Sequence, residues 1–156
     1  MFESPNEDSR FFSRYETSEI LGTCCDSPFL LEERLWPTVE HYIQAMQFED
    51  EARQEAIRTA ESTDIARKLG KTGLFRRPRA NWKETRVAYM TRAVYTRCRT
   101  HDDVRDALLA TGDTPLVENS QYDYFWGCGR DRRGENRYGR VLMQVREKLR
   151  EEAAAG

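Results

Sequence analysis

Residues 116–143, LVENSQYDYFWGCGRDRRGENRYGRVLM, pass from strand to loop to helix within one short span. Leu116-Val117 is strand-like. Tyr138, Val141, Leu142, Val145 and Leu149 then recur at the spacing of a helix with one apolar face. Between them, Tyr122-Asp123-Tyr124-Phe125-Trp126-Gly127-Cys128-Gly129 puts four aromatics, a carboxylate and two glycines into eight residues. That run fits neither a helical period nor strand alternation. The glycines flanking Cys128 point to positive φ or to close backbone approach. A loop this aromatic is expected to bury its rings, either by plugging a core or by lining a pocket.

The remainder of the chain predicts an α+β class, predominantly helical, in one compact domain with a few short strands. Phe11-Phe12-Ser13 opens the ordered part, and Ile20-Leu21 and Phe29-Leu30-Leu31 read as short strands or extended loops between turn-formers. Trp36-Pro37-Thr38 leads into a helix, with Thr38 as N-cap and Val39, Tyr42, Ile43 and Met46 on its core face. Glu40, Gln44 and Gln47 form a separate polar stripe. A charged helix over residues 50–60 and a short one capped by Ser62 or Thr63 follow. Asn81 is expected to cap a long helix with Val87, Met90, Val94 and Cys98 inward. Thr100 with Asp103 resembles a capping box opening another helix, which stops at Gly112. Residues 1–10 are expected to be flexible, 11–150 to form the domain, and 151–156 to fray.

Composition narrows the function classes. The 156 residues are enough for one real core: charged residues make up 33% and hydrophobic residues 38%, but 17 aromatics are available to pack, which argues against disorder. A net charge of −2 recruits neither nucleic acid nor membrane globally, so any anion site must be a local cluster. Cys24, Cys25, Cys98 and Cys128 show no metal or disulfide spacing, which predicts reduced thiols. No run is long and apolar enough to span a bilayer and no leader is legible, so a cytoplasmic protein with no membrane partner is expected. His41 has no second histidine at ligand spacing and His101 stands at a helix start. Phosphate-loop, dinucleotide and zinc signatures are absent, so neither metal nor cofactor is expected.

Two carboxylates stand out. Glu40 lies in a first helical turn, where the dipole favours an anion. Asp123 is bracketed by tyrosines, which can desolvate it. Carboxylates in two environments suit acid–base chemistry at a glycosidic bond. Each also has a structural reading, Glu40 favouring a helix start and Asp123 capping a loop. Trp36, Trp82 and Trp126 sit at element boundaries, where a ring serves either as a core lid or as a platform for a flat base. Arg76, Arg77, Arg79, Lys83 and Arg86 form one basic cluster, and Arg130, Arg132, Arg133, Arg137 and Arg140 another. Such runs are solvated surface by default, yet beside a tryptophan and a helix start they also suit phosphate groups.

Several ordered blocks resemble the NADAR (YbiA-like) superfamily of N-glycosidases. They are Trp36-Pro37-Thr38-Val39-Glu40-His41-Tyr42-Ile43-Gln44-Ala45, Asn81-Trp82-Lys83, and Leu108-Leu109-Ala110-Thr111-Gly112-Asp113 with Leu116-Val117-Glu118. Asp123-x-x-Trp126-Gly127-x-Gly129, Asn136-x-x-Gly139 and Leu142-Met143-x-x-Arg146 complete the set, which covers nearly the whole chain. The chain departs from the family at Gln47-Phe48 and near Thr96-Arg97-Cys98, where a Lys-Phe pair is common, and at its arginine-rich segment 130–134.

The resemblance implies metal-free hydrolysis of a ribosyl C1–N bond. The substrate is ADP-ribose on the exocyclic amine of guanine in nucleic acid, or a ribosylaminopyrimidine phosphate of early riboflavin synthesis. The substrate partner therefore carries ADP-ribose or ribose 5-phosphate, and in the first case an ADP-ribosyltransferase toxin is the expected genetic partner. A binding module that holds ADP-ribose without turnover is the further alternative. Carried onto this sequence, Glu40 and Asp123 become the catalytic candidates, their acid and base roles unassigned. Phe12, Ser13, Trp36, His41, Gln44, Trp82, Trp126, Gly127, Asn136 and Gly139 are the substrate-binding candidates. Arg79, Lys83 and Arg137 are those for phosphate.

Overall fold

A computed structural model describes residues 8–156, so most of the expected flexible N-terminus lies outside the described residues. Within its described part, Arg10 already belongs to strand β1 (Arg10–Phe12). Then come the hairpin strands β2 (Phe29–Leu31) and β3 (Arg34–Trp36), and helices α1 (Val39–Met46), α2 (Glu51–Arg58) and α3 (Thr63–Leu69). Helix α4 (Trp82–Thr100), α5 (Asp102–Ala110), strand β4 (Leu116–Glu118) and α6 (Arg137–Ala155) complete the order. Among the described residues, six helices and four three-residue strands make the fold α+β and predominantly helical. The tail expected to fray continues α6 to Ala155.

Helix α1 sits at the centre, packed against α2, α3, α4 and β3. Its sequence accounts for this. The Thr38 hydroxyl accepts from the His41 N–H at 3.1 Å, closing the first turn, and Val39, Tyr42, Ile43 and Met46 are all buried. Helix α6 packs on α4, α5 and β4 through Tyr138, Val141, Leu142, Val145 and Leu149, as its spacing predicts. Helix α4 turns Met90, Val94 and Cys98 inward, although Asn81 makes no side-chain capping bond. The capping box at Thr100 does not form. Thr100 closes α4 instead, its hydroxyl donating to the Thr96 carbonyl at 2.7 Å, and α5 opens at Asp102.

Two small two-stranded sheets complete the fold. Strands β1 and β4 pair in parallel, Phe12 opposite Glu118, which joins the start of the described chain to the segment before the aromatic loop. Strands β2 and β3 form a tight hairpin whose turn residues, Glu32 and Glu33, have φ of 55° and 65°. Those angles match the turn geometry that two-residue hairpins favour, reached here without glycine or asparagine.

Candidate active site

The aromatic loop does not plug the core. Tyr122 is 89% exposed and Tyr124 48%, while Phe125 and Trp126 are half-buried. The loop holds itself by doubling back. Gly134 donates to the Cys128 carbonyl, Glu135 to that of Tyr124, Asn136 to that of Gly127, and Arg137 to that of Phe125. Asp123 fixes its tip, one carboxylate oxygen accepting the N–H groups of Phe125 and Trp126 at 3.0 and 2.8 Å. Gly127 is required for close approach, since a β-carbon there would lie 2.9 Å from the Asp123 carbonyl and from the Glu118 carboxylate.

The second Asp123 oxygen faces Arg14, 3.6 Å from Nη2. On the same guanidinium, Nη1 donates to Glu40 Oε1 at 2.8 Å. The two carboxylates singled out in the sequence are thus brought to one buried cation that the sequence reading missed. Glu40 is wholly enclosed: Thr23 donates to Oε1 at 2.8 Å and Gln44 to Oε2 at 2.7 Å. Its stripe faces a buried polar seam and not solvent. From Gln44 the chain of bonds continues to Gln47, whose Nε2 donates to Gln44 Oε1 at 2.9 Å and to the Gly70 carbonyl at 3.0 Å. Gly70 is needed there because a β-carbon would overlap the Gln44 amide.

Arg14 is positioned by the β1–β4 pairing. Its own N–H donates to Glu118 Oε2 at 2.6 Å, while Glu118 Oε1 accepts from Ser120. Burial works to lower the Arg14 pKa, but Glu40, Tyr15, Asp123 and Glu118 together hold it above the ordinary arginine range. Beside it, the Tyr15 ring lies between two guanidiniums, 4.3 Å from that of Arg14 and 3.8 Å from that of Arg67. Burial pushes the Tyr15 phenol up to about 12 against the opposing pull of Arg14, so at neutral pH it keeps its proton. The bracketing of Asp123 by Tyr122 and Tyr124 does not enclose it, as both rings face solvent.

Other candidates fall into two groups. Trp126, edge-to-face with Phe125 at 4.7 Å between ring centres, and Trp82, 5.8 Å from Tyr89, are half-buried and keep open surface. Gln44 lies in the seam, Lys83 is exposed, and Arg137 is paired with Glu135 at 3.0 Å. The rest have structural roles. Trp36 is fully buried, its indole N–H donating to the Leu31 carbonyl, and Phe12 packs on Tyr138 in the core. His41 is enclosed between the Thr38 hydroxyl and the Ala60 carbonyl. The Asn136 amide, on a residue with φ of 48°, accepts from the Glu118 N–H and donates to the Leu116 carbonyl. It staples the loop to β4, so it is not free for phosphate. Gly139 lets α6 touch the Leu116 carbonyl, which a β-carbon would meet at 2.2 Å. Arg79 is likewise unavailable, donating to the carbonyls of Met46 and Phe48 and to the Tyr89 hydroxyl. Ser13 lines a separate cleft of about 290 Å³ with Phe11, Glu19 and Asn119.

Arg86 was read only as part of a cluster, yet its guanidinium covers the Phe125 ring 3.2 Å from the centroid, and its Nε is buried with no hydrogen-bond partner. Burial lowers its pKa, opposed by Glu135 and Asp123. At two of the three departures from the resembled family, Gln47 and Arg97 are hydrogen-bonding struts. Arg97 is buried and donates to the Gly22 carbonyl at 3.0 Å.

The sequence model of the NADAR domain matches residues 1–150. The N-glycosidase Npun_R5314 of Nostoc punctiforme is 42% identical over 123 residues, 77% of this chain and 78% of that one. The N-glycosidase YbiA of Escherichia coli (strain K12) is 36% identical over 139 residues, 86% of each chain. The riboflavin biosynthesis protein VVA0006 of Vibrio vulnificus is 37% identical over 154 residues, 97% of this chain but 39% of that one. The solution structure of Escherichia coli YbiA superposes with a TM-score of 0.84 at 32% identity, covering 98% of this chain and 92% of the other.

Proposed function

Because this chain belongs to the NADAR domain family, we propose that it is an N-glycosidase that hydrolyses a ribosyl C1–N bond, with ADP-ribosylated guanine in nucleic acid as its substrate. The observation that carries the reaction type is the pair of carboxylates, Glu40 and Asp123, on the single buried cation Arg14. One positive charge between two negative ones leaves an excess of negative charge. The C1–N bond breaks with its electron pair going to nitrogen, and positive charge develops on the ribose ring. A fixed anionic cluster stabilises that charge, and losing such preorganised help costs about 100-fold or more in rate.

The structure favours different tasks for the two carboxylates. Asp123 is the one with open side-chain surface, 23% against 0% for Glu40. In this reading Asp123 touches the sugar or the attacking water, and Glu40 acts from beneath by holding Arg14 and Gln44. The leaving amine takes its proton from Tyr15 or from water. Trp126, Phe125 and Trp82 wall the base and ribose, and Arg86 is the free guanidinium for a phosphate oxygen.

The choice of guanine in nucleic acid rests on the second basic cluster: Arg130 and Arg132 line a cleft of about 290 Å³ beside the loop, and Arg133 is exposed. An ADP-ribosyltransferase toxin that installs the modification is then the matching genetic partner. The relatives named for riboflavin biosynthesis favour a second reading, a ribosylaminopyrimidine phosphate substrate. The test offers both substrates in parallel, ADP-ribosylated guanine in a short DNA strand and the ribosylaminopyrimidine phosphate. Tenfold faster release from the pyrimidine reverses the choice. Wild-type turnover by Asp123→Asn, where a loss of about 100-fold is expected, overturns the mechanism.

A further inference from the structure

The connection between α3 and α4 carries a feature that the reaction does not use. Gly73 and Arg76 exchange backbone hydrogen bonds at 3.0 and 3.2 Å, forming a tight hairpin with Leu74 and Phe75 at its tip. Those side chains are 72% and 94% exposed, and among the described residues Phe75 is the most exposed of the large hydrophobics. Exposed Lys71, Arg76 and Arg77 surround them, with no ion-pair partner among the described residues. A solvated loop gains nothing from a phenyl ring held in water among unpaired cations. The combination suits a ligand that presents both flat faces and negative charges.

The hairpin is anchored on the proposed site. Its incoming end is fixed where the Gly70 carbonyl accepts from Gln47 Nε2, and its outgoing end where the Arg79 N–H donates to the Gln47 carbonyl at 2.7 Å. Gln47 is the end of the hydrogen-bonded seam that begins at Glu40. Between the hairpin and α2 lies a cleft of about 390 Å³, where Arg53 stacks over Phe48 at 5.1 Å. Glu49 and Asp50 also line it, and Asp50 is occupied in capping α2 through the Ala52 N–H. The cations therefore outnumber the free acids on this face.

We propose that this hairpin is a landing site for single-stranded nucleic acid flanking the modified base. It rests on the nucleic-acid reading of the active site. Phe75 stacks on one base, Arg76 and Arg77 take the adjacent phosphates, and Arg53 lines the path of the backbone between hairpin and α2. Stacking platforms interleaved with cations bind single strands without sequence preference and with strong salt dependence.

The test uses a fluorescein-labelled, unmodified oligo(dT) of about ten nucleotides and the full chain, followed by fluorescence anisotropy. Phe75→Ala and the double variant Arg76→Gln/Arg77→Gln are each expected to bind about tenfold more weakly at unchanged Tm. The double variant should also lower the slope of log affinity against log salt by roughly 1.4. Wild-type affinity in both variants, no binding by the wild type, or tighter binding to anionic phospholipid vesicles than to oligo(dT) overturns the inference. A parallel arm measures release of ADP-ribose from the single nucleoside ADP-ribosyl-guanosine. The variants should match the wild type there. A wild type that binds oligo(dT) through Phe75 but leaves the nucleoside intact sinks the glycosidase reading and leaves the landing site standing.

Discussion

Replacing Arg14 with methionine tests the site at its centre. The Arg14 side chain is 4% exposed and lies 2.8 Å from a Glu40 carboxylate that is itself 0% exposed. At an effective dielectric of about 20, unit charges at this separation attract by roughly 6 kcal/mol, much of it offset by the cost of desolvating both groups. Removing only the cation leaves Glu40 buried and unpaired, which costs about 3–5 kcal/mol. A domain of this size loses about 2–4 °C in Tm per kcal/mol, so Arg14→Met should melt about 10 °C below the wild type. The double variant Arg14→Met/Glu40→Gln removes both charges of the pair and should recover much of that loss, with a coupling energy of about 2 kcal/mol or more in the cycle. Thermal unfolding of the four proteins by circular dichroism provides the cycle. Single substitutions that add to within about 0.5 kcal/mol show that the two side chains do not act as a pair, and refute the argument for the site.

Burial sets the His41 pKa below its ordinary 6.5, with the Ala60 carbonyl and Glu40 opposing. The unfolded chain therefore takes up the proton first, so this contribution to stability is full above about pH 6.5 and is lost as pH falls through the folded pKa. His41→Gln should flatten the drop in Tm between pH 7.5 and 5, and an unchanged slope refutes the assignment. Glu33 holds φ of 65° on an exposed side chain, so Glu33→Gly should relieve about 1 kcal/mol and raise Tm by about 2–4 °C. A lower Tm would mean that the turn is not strained. Turnover should persist in excess EDTA, since the sequence offers no ligand spacing; loss restored by one divalent ion would contradict the metal-free mechanism.

Local chemistry made much of this fold legible, and long-range pairing hid the rest. Helix α1 could be read because Thr38 caps it and its apolar stripe repeats at the helical period. Helix α6 could be read for the same reason. The hub of the site could not. An arginine in a polar segment is solvated by default, and Arg14 is buried only because β1 pairs with β4 far along the chain. Trp36 precedes a proline at an element boundary, and nothing local says which way its ring turns; the β2–β3 hairpin turns it inward. Arg79 stood in a basic run that suggested phosphate, but the free carbonyls at the end of α1 and beyond it reach the guanidinium first. The motif blocks picked out Glu40 and Asp123 without revealing that one is enclosed and the other half-open.

The parallel pairing of β1 with β4 also determines when during synthesis the protein becomes functional. Arg14 leaves the ribosome early, whereas Glu118 and Asp123, which fix and face it, follow only after five helices have been made. A chain paused before β4 can hold Glu40 within α1 but has no partner to draw Arg14 into register. Hydrolytic competence therefore arrives as a late, single event, tied to the long-range closure of β1 on β4 and not to the gradual accumulation of helices. Incomplete chains should be inert toward substrate, however much helix they contain.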